Sequence, residues 1–104
     1  MNIIIKKEID LTPALEAYLQ KKFAQLEKFV VSLAKTNPAE LMIEVKRTTN
    51  HHRKGPVYHA AAKLHFAGVT LRAEADAEDI RTAIDGAKDT LREEIEKYKD
   101  RKLG

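Results

Sequence analysis

Hydrophobic side chains along this chain change period twice, and that double switch restricts the fold more than any single motif. Leu15, Leu19, Phe23, Leu26, Val30 and Leu33 recur three or four positions apart. At about 100° per residue they fall on one side of a helix. The spacing then drops to two. Leu41, Ile43 and Val45 alternate with Met42, Glu44 and Lys46, while Tyr58, Ala60, Ala62, Leu64 and Phe66 share one parity. Val69, Leu71 and Ala73 alternate in the same way with Thr70, Arg72 and Glu74. From Ile80 the helical spacing returns through Ile84, Ala87, Leu91, Ile95 and Tyr98. Alternating strands leave one sheet face in water. Two apolar helix stripes must therefore cover the other face.

Local signals mark the ends of these elements. Residues 2–9 are rich in Ile and read as a first strand. Thr12 is placed as an N-cap, with Pro13 at the first helical position and Glu16 in the opening turn. Asn37-Pro38 closes that helix, which stops a few residues earlier. Residues 50–56 form a polar loop ending in Gly55-Pro56, and Ala67-Gly68 is a short turn. Three alanines would also allow a helix over 58–66, but the flanking turns favour a hairpin. A second helix is expected from about Asp76 to Lys99. Asp76, Glu78 and Asp79 would then occupy its first turn, with Lys99, Arg101 and Lys102 at its end, the charge order the helix dipole prefers. The expected architecture is α+β in the order β-α-β-β-β-α. It has a four-stranded, largely antiparallel sheet with both helices on one face, in a single domain spanning 1–104.

Several chemistries are excluded at this level. The chain has no cysteine, so disulfides and Cys-ligated zinc are absent. The apolar run at the N-terminus is too short for a signal peptide, and no stretch approaches the roughly 20 apolar residues a membrane span needs. A cytoplasmic protein without membrane contact is expected. His59 and His65 share a strand face but lie about 20 Å apart along it, too far to hold one ion. His51 and His52 have no acid close in sequence and read as solvated. Ser32 is the only serine, the four glycines are scattered, and Glu93-Glu94 belongs to a charged helix face. No nucleophile, base and oxyanion site assemble. The chain reads as no enzyme and needs no cofactor or metal.

The basic residues are more informative. Net charge is +3 and the sequence pI about 9.2, so placement matters more than the total. Lys21, Lys28 and Lys35 recur every seven residues along one edge of the first helix, with Lys22 beside the apolar stripe. On the second helix Arg81, Lys88, Arg92 and Lys99 fall within one narrow sector, with Asp85, Asp89 and Glu96 just beyond it. Cations spaced about 10 Å apart suit phosphates along an RNA backbone. The same pattern also occurs on ordinary solvated helices, where neighbouring acids form intrahelical pairs. The open sheet face adds Lys46, His59, Lys63 and Arg72. Most of the six aromatics fall on faces assigned to the core, so backbone contact is expected rather than base stacking.

Longer stretches resemble a known family. Ile9-Asp10-Leu11-Thr12-Pro13-Ala14-Leu15 and the run from Lys22 to Phe29 are similar to the opening of ribosome hibernation-promoting factors. So are Ala73-Glu74-Ala75, Glu78-Asp79-Ile80, Ala83-Ile84-Asp85-Gly86 and the closing run from Lys97 to Lys102. The resemblance covers essentially the whole chain and its element order. It implies a fold like a double-stranded-RNA-binding domain, no catalysis, and a place in the small-subunit channel that takes messenger and transfer RNA. Its implied partners are the small ribosomal subunit and its rRNA. By motif position the RNA-binding role carries over to Lys22, Lys28, Lys97, Lys99 and Arg101. The chain departs from the family at Thr90 and Glu93, where basic residues are usual, and at Arg81, where an aromatic is usual. Charge spacing thus favours one edge of the second helix and resemblance the other. Ending at Gly104, the chain resembles the short form, expected to be monomeric off the ribosome. A free-standing binder of double-stranded RNA is the alternative.

Overall fold

The computed structural model describes residues 1–31, 38–48 and 57–103, with side chains through 102. Its elements are β1 (Asn2–Lys7), α1 (Pro13–Ala24), α2 (Glu27–Val30), β2 (Glu40–Thr48), β3 (Val57–Phe66), β4 (Val69–Ala77) and α3 (Ile80–Leu103). The strands lie side by side in chain order. β1 runs parallel to β2, because the helical arm between them returns the chain to the same end of the sheet. The β2–β3 and β3–β4 pairs are antiparallel.

Strand alternation sorts the side chains as expected. Leu41, Ile43, Val45, Ala60, Ala62, Leu64, Phe66, Leu71 and Ala73 are buried beneath the helices. Above them pack Leu19, Phe23, Leu26 and Val30 from α1 and α2, with Ala83, Ile84, Ala87, Leu91 and Ile95 from α3. Tyr98 meets Phe66 edge-on, with ring centroids 5.4 Å apart. No described helix is long and apolar enough to cross a membrane. The Thr12 cap forms as read: its hydroxyl accepts from the Leu15 amide at 3.2 Å.

Two sequence readings need correction. The first helix is not continuous. α1 ends at Ala24, and the Leu26 and Phe29 amides donate to Phe23 and Leu26 carbonyls three residues back. That tight spacing over-winds the chain before α2 yet keeps Leu26 and Val30 buried. Lys21 and Lys28 therefore do not share one straight edge, and Leu33 and Lys35 fall outside the described residues. The second helix starts later than Asp76. Pairing of Tyr58 with Ala77 holds Asp76 in β4, where its carboxylate lies 2.6 Å from His59 Nδ1. Asp79 acts as the cap instead. Its carbonyl accepts from the Ala83 amide at 3.1 Å and its carboxylate from the Thr82 amide at 3.2 Å.

A tight turn shapes the β3–β4 hairpin, and one close approach positions α3 on it. Ala67 and Gly68 both have positive φ, 47° and 77°, which gives the two-residue hairpin the twist its strands need. At Gly86 the helix comes down onto β4: a methyl group there would stand 2.9 Å from Ala75 Cβ. The missing side chain lets α3 sit against the sheet.

Candidate nucleic-acid interface

The seam between the α1–α2 arm and α3 is lined by two aromatic rings, each carrying cations from both sides. Tyr18 on α1 and Phe29 on α2 are half-buried against the core. Over the Tyr18 ring lie Lys22 Nζ, 5.4 Å from the centroid, and Arg81 Cζ, 5.0 Å away. Over Phe29 lie Arg92 Cζ at 4.9 Å, Lys28 Nζ at 5.2 Å and Lys99 Nζ at 5.7 Å. A ring face attracts a cation through its quadrupole, worth about 0.5–1 kcal/mol at such solvent-accessible sites. Five of the cations named from the sequence thus converge on one seam.

Acids tie the seam together without cancelling it. The Tyr18 hydroxyl donates to both Asp85 oxygens, at 2.7 and 2.9 Å, and Lys22 Nζ stands 3.8 Å from the same carboxylate. The bond to Asp85 holds the Tyr18 phenol above its ordinary pKa of 10.0, with burial and the carboxylate charge acting the same way. Arg92 Nε pairs with Glu96 at 3.3 Å. Lys88 sits between Arg81 and Arg92, only 15% of its side chain exposed, with Nζ 3.4 Å from Asp89. Six cations thus face three acids along the seam. A guanidinium held over a ring keeps N–H groups free to meet a phosphate.

The other sequence-named cations lie apart. Lys21 is exposed and has no ion pair among the described residues. Lys97 pairs with Glu94 at 3.6 Å, and its helical position puts it with Thr90 and Arg101 on the flank of α3 away from the seam. Arg101 and Lys102 are exposed in the last turn. Sequence reading missed Tyr18 and Phe29 as platforms. The Tyr18–Lys22 spacing of one helical turn was the signal available for the first. Phe29 had none, because its approach to Arg92 and Lys99 depends on how the two helical arms meet.

The histidines form local contacts. His65 Nδ1 lies 3.0 Å from the Thr70 hydroxyl, and His59 is engaged with Asp76. His51 and His52 fall outside the described residues. Among the described residues no three His, Cys, Asp or Glu side chains gather around a point that could hold a cation.

Fold and face together define a small α+β domain with one bare sheet surface and a basic, aromatic-backed helical layer. Residues 3–103 match the family described as Sigma 54 modulation protein / S30EA ribosomal protein, and the chain belongs to that family. A ribosome hibernation promoting factor from Klebsiella oxytoca is 30% identical, over 89% of this chain and 86% of its own length. One from Escherichia coli K12 is 29% identical, over 94% and 92% respectively. The solved N-terminal domain of Thermus thermophilus Protein Y superposes with a TM-score of 0.65 at 25% identity, covering 94% of this chain and 99% of that one.

Proposed function

We propose that this protein is a ribosome hibernation factor, acting as one unit that binds the small ribosomal subunit and silences translation in idle ribosomes. The family is described as a sigma 54 modulation or ribosomal protein and the relatives are named for ribosome hibernation, none of them for a reaction. In this reading the helical layer lies on ribosomal RNA in the channel that otherwise takes messenger and transfer RNA.

The observation that carries the RNA contact is the seam itself. Lys22 and Lys28 from one arm, with Arg81, Arg92 and Lys99 from the other, rest on two rings. Ring contacts restrict their rotamers before binding, which lowers the entropic cost of meeting phosphates. The test is co-sedimentation with purified small subunits across salt concentrations. Some six phosphate contacts should cost about 10³-fold in affinity between roughly 50 and 200 mM salt. Ribosomes already carrying messenger and transfer RNA should bind poorly. Undiminished binding to them would move the site out of the channel. Equal affinity for an unrelated RNA duplex would favour a free-standing duplex binder.

A further inference from the structure

Tyr58 stands at the end of the sheet where both long helices begin. The Glu8 amide extends β1 by donating to the Val45 carbonyl at 3.1 Å, and Ala77 at the end of β4 is paired with Tyr58. α1 and α3 therefore start at the same end. Beside their first turns lies an open groove of about 470 Å³, a size that suits a small organic group. Ile9, Leu15 and Ile80 give it an apolar wall, each partly buried against the core.

The polar lining is unusual in leaving its charges unmatched. Arg47 Nη2 donates to the Tyr58 hydroxyl at 3.2 Å, and its guanidinium carbon lies 5.4 Å from the ring centroid. An aromatic ring and a guanidinium are both planes on which an unpaired RNA base stacks. Glu8 and Asp10 bring two exposed carboxylates to the same groove. Neither acid has an ion pair among the described residues, and nor has Arg47. Both signs of charge are thus left available to a ligand.

The groove also continues the cationic seam. Leu15 lies one helical turn before Tyr18, and Ile80 adjoins Arg81, whose guanidinium rests on the Tyr18 ring. An RNA strand following Lys99, Arg92 and Arg81 along α3 runs towards it.

We propose that this groove takes one unpaired guanine of the bound RNA, stacked on Tyr58 and Arg47, with its N1–H and N2–H groups donating to Glu8 and Asp10. The base contact rests on the RNA reading of the seam and adds a sequence preference to it. Two carboxylates only accept hydrogen bonds and repel a phosphate, so this end of the RNA track suits a base rather than backbone. Guanine sets two adjacent donors on its Watson–Crick edge. Uracil sets one there, and adenine turns an acceptor ring nitrogen towards the acids.

The test is fluorescence anisotropy of the full chain with labelled uridine hexanucleotides carrying one guanosine or one adenosine. Wild type should bind the guanosine form about tenfold more tightly, the discrimination that a pair of hydrogen bonds to one base supplies. Tyr58→Leu, checked for folding by circular dichroism, should weaken guanosine binding, and so should Arg47→Ala at its exposed position. Glu8→Ala with Asp10→Ala should lose the preference while binding the adenosine form more tightly than wild type does, because the acids both select guanine and repel RNA. Arg92→Gln with Lys99→Gln should weaken both forms alike and keep their ratio. Equal wild-type affinity for the two RNAs, or binding of neither, overturns the proposal. So does a guanosine preference that survives loss of both acids, or guanosine binding unchanged by Arg47→Ala. Co-sedimentation with small subunits tests the ribosome reading separately. Subunit binding without a guanosine preference would remove the groove alone, and a preference without subunit binding would remove the ribosome reading alone.

Discussion

The Tyr18 hydroxyl and the Asp85 carboxylate meet across the seam between α1 and α3, with oxygens 2.7 Å apart. This bond, with Lys22 beside it, joins helices separated in sequence by β2, β3 and β4 and holds the ring on which Lys22 and Arg81 rest. It also has a pH signature. A neutral phenol can donate and a phenolate cannot, so folding holds the Tyr18 proton more tightly than the unfolded chain does. The stabilisation is fully present below pH 10, the unfolded value, and is lost as pH rises through the raised folded value. Melting temperature should therefore fall less steeply on the alkaline side in Tyr18→Phe than in wild type. Parallel alkaline limbs would show that the bond does not form in solution.

RNA contact should follow the seam rather than the outer flank of α3. Lys88 is too enclosed for a clean test, because truncating it removes packing along with charge. Arg92→Gln with Lys99→Gln should weaken binding to small subunits and lower the salt slope by about two units. Lys97→Gln with Arg101→Gln should have a much smaller effect. If the second pair abolished binding while the first left it unchanged, the outer flank would be the RNA-facing one.

At Gly86 two tendencies oppose each other. Alanine improves helix propensity by about 1 kcal/mol. Here, though, the new methyl would fall 2.9 Å from Ala75 Cβ, and overpacking of that kind costs about 1–3 kcal/mol. Gly86→Ala should therefore destabilise the protein, and by less in an Ala75→Gly background. Urea denaturation of the four-member cycle gives the coupling, and identical costs in both backgrounds would contradict the contact.

Ala67 carries a left-handed backbone conformation that an L-residue adopts only with strain. Asparagine tolerates it, and Asn-Gly is the preferred pair for this hairpin turn. Ala67→Asn should raise the urea midpoint, with a gain of about 0.5–1 kcal/mol at unchanged m-value. An unchanged or lowered midpoint would mean that the turn relaxes away from this geometry.

The sequence alone determined which residues face the core, because the two periods are properties of the local backbone. Leu41, Ile43 and Val45 had to share a face once extended, and Leu19, Phe23, Leu26 and Val30 a side once helical. Thr12-Pro13 marked a helix start for equally local reasons. Tertiary contact decided the rest. Asp76 is a good helix-start residue by itself, but β3 holds it extended, and Asp79 takes its role. The helical arm breaks after Ala24 while its apolar stripe stays continuous through Leu26 and Val30, so hydrophobic spacing carried no sign of the break. The cations divided in the same way. Their spacing placed Arg81, Arg92 and Lys99 on one flank of α3, but only the packing of that flank against Tyr18 and Phe29 joined them to Lys22 and Lys28. A side chain's direction is set within a turn of its own helix, whereas its neighbours across a seam depend on how two helices settle on one sheet.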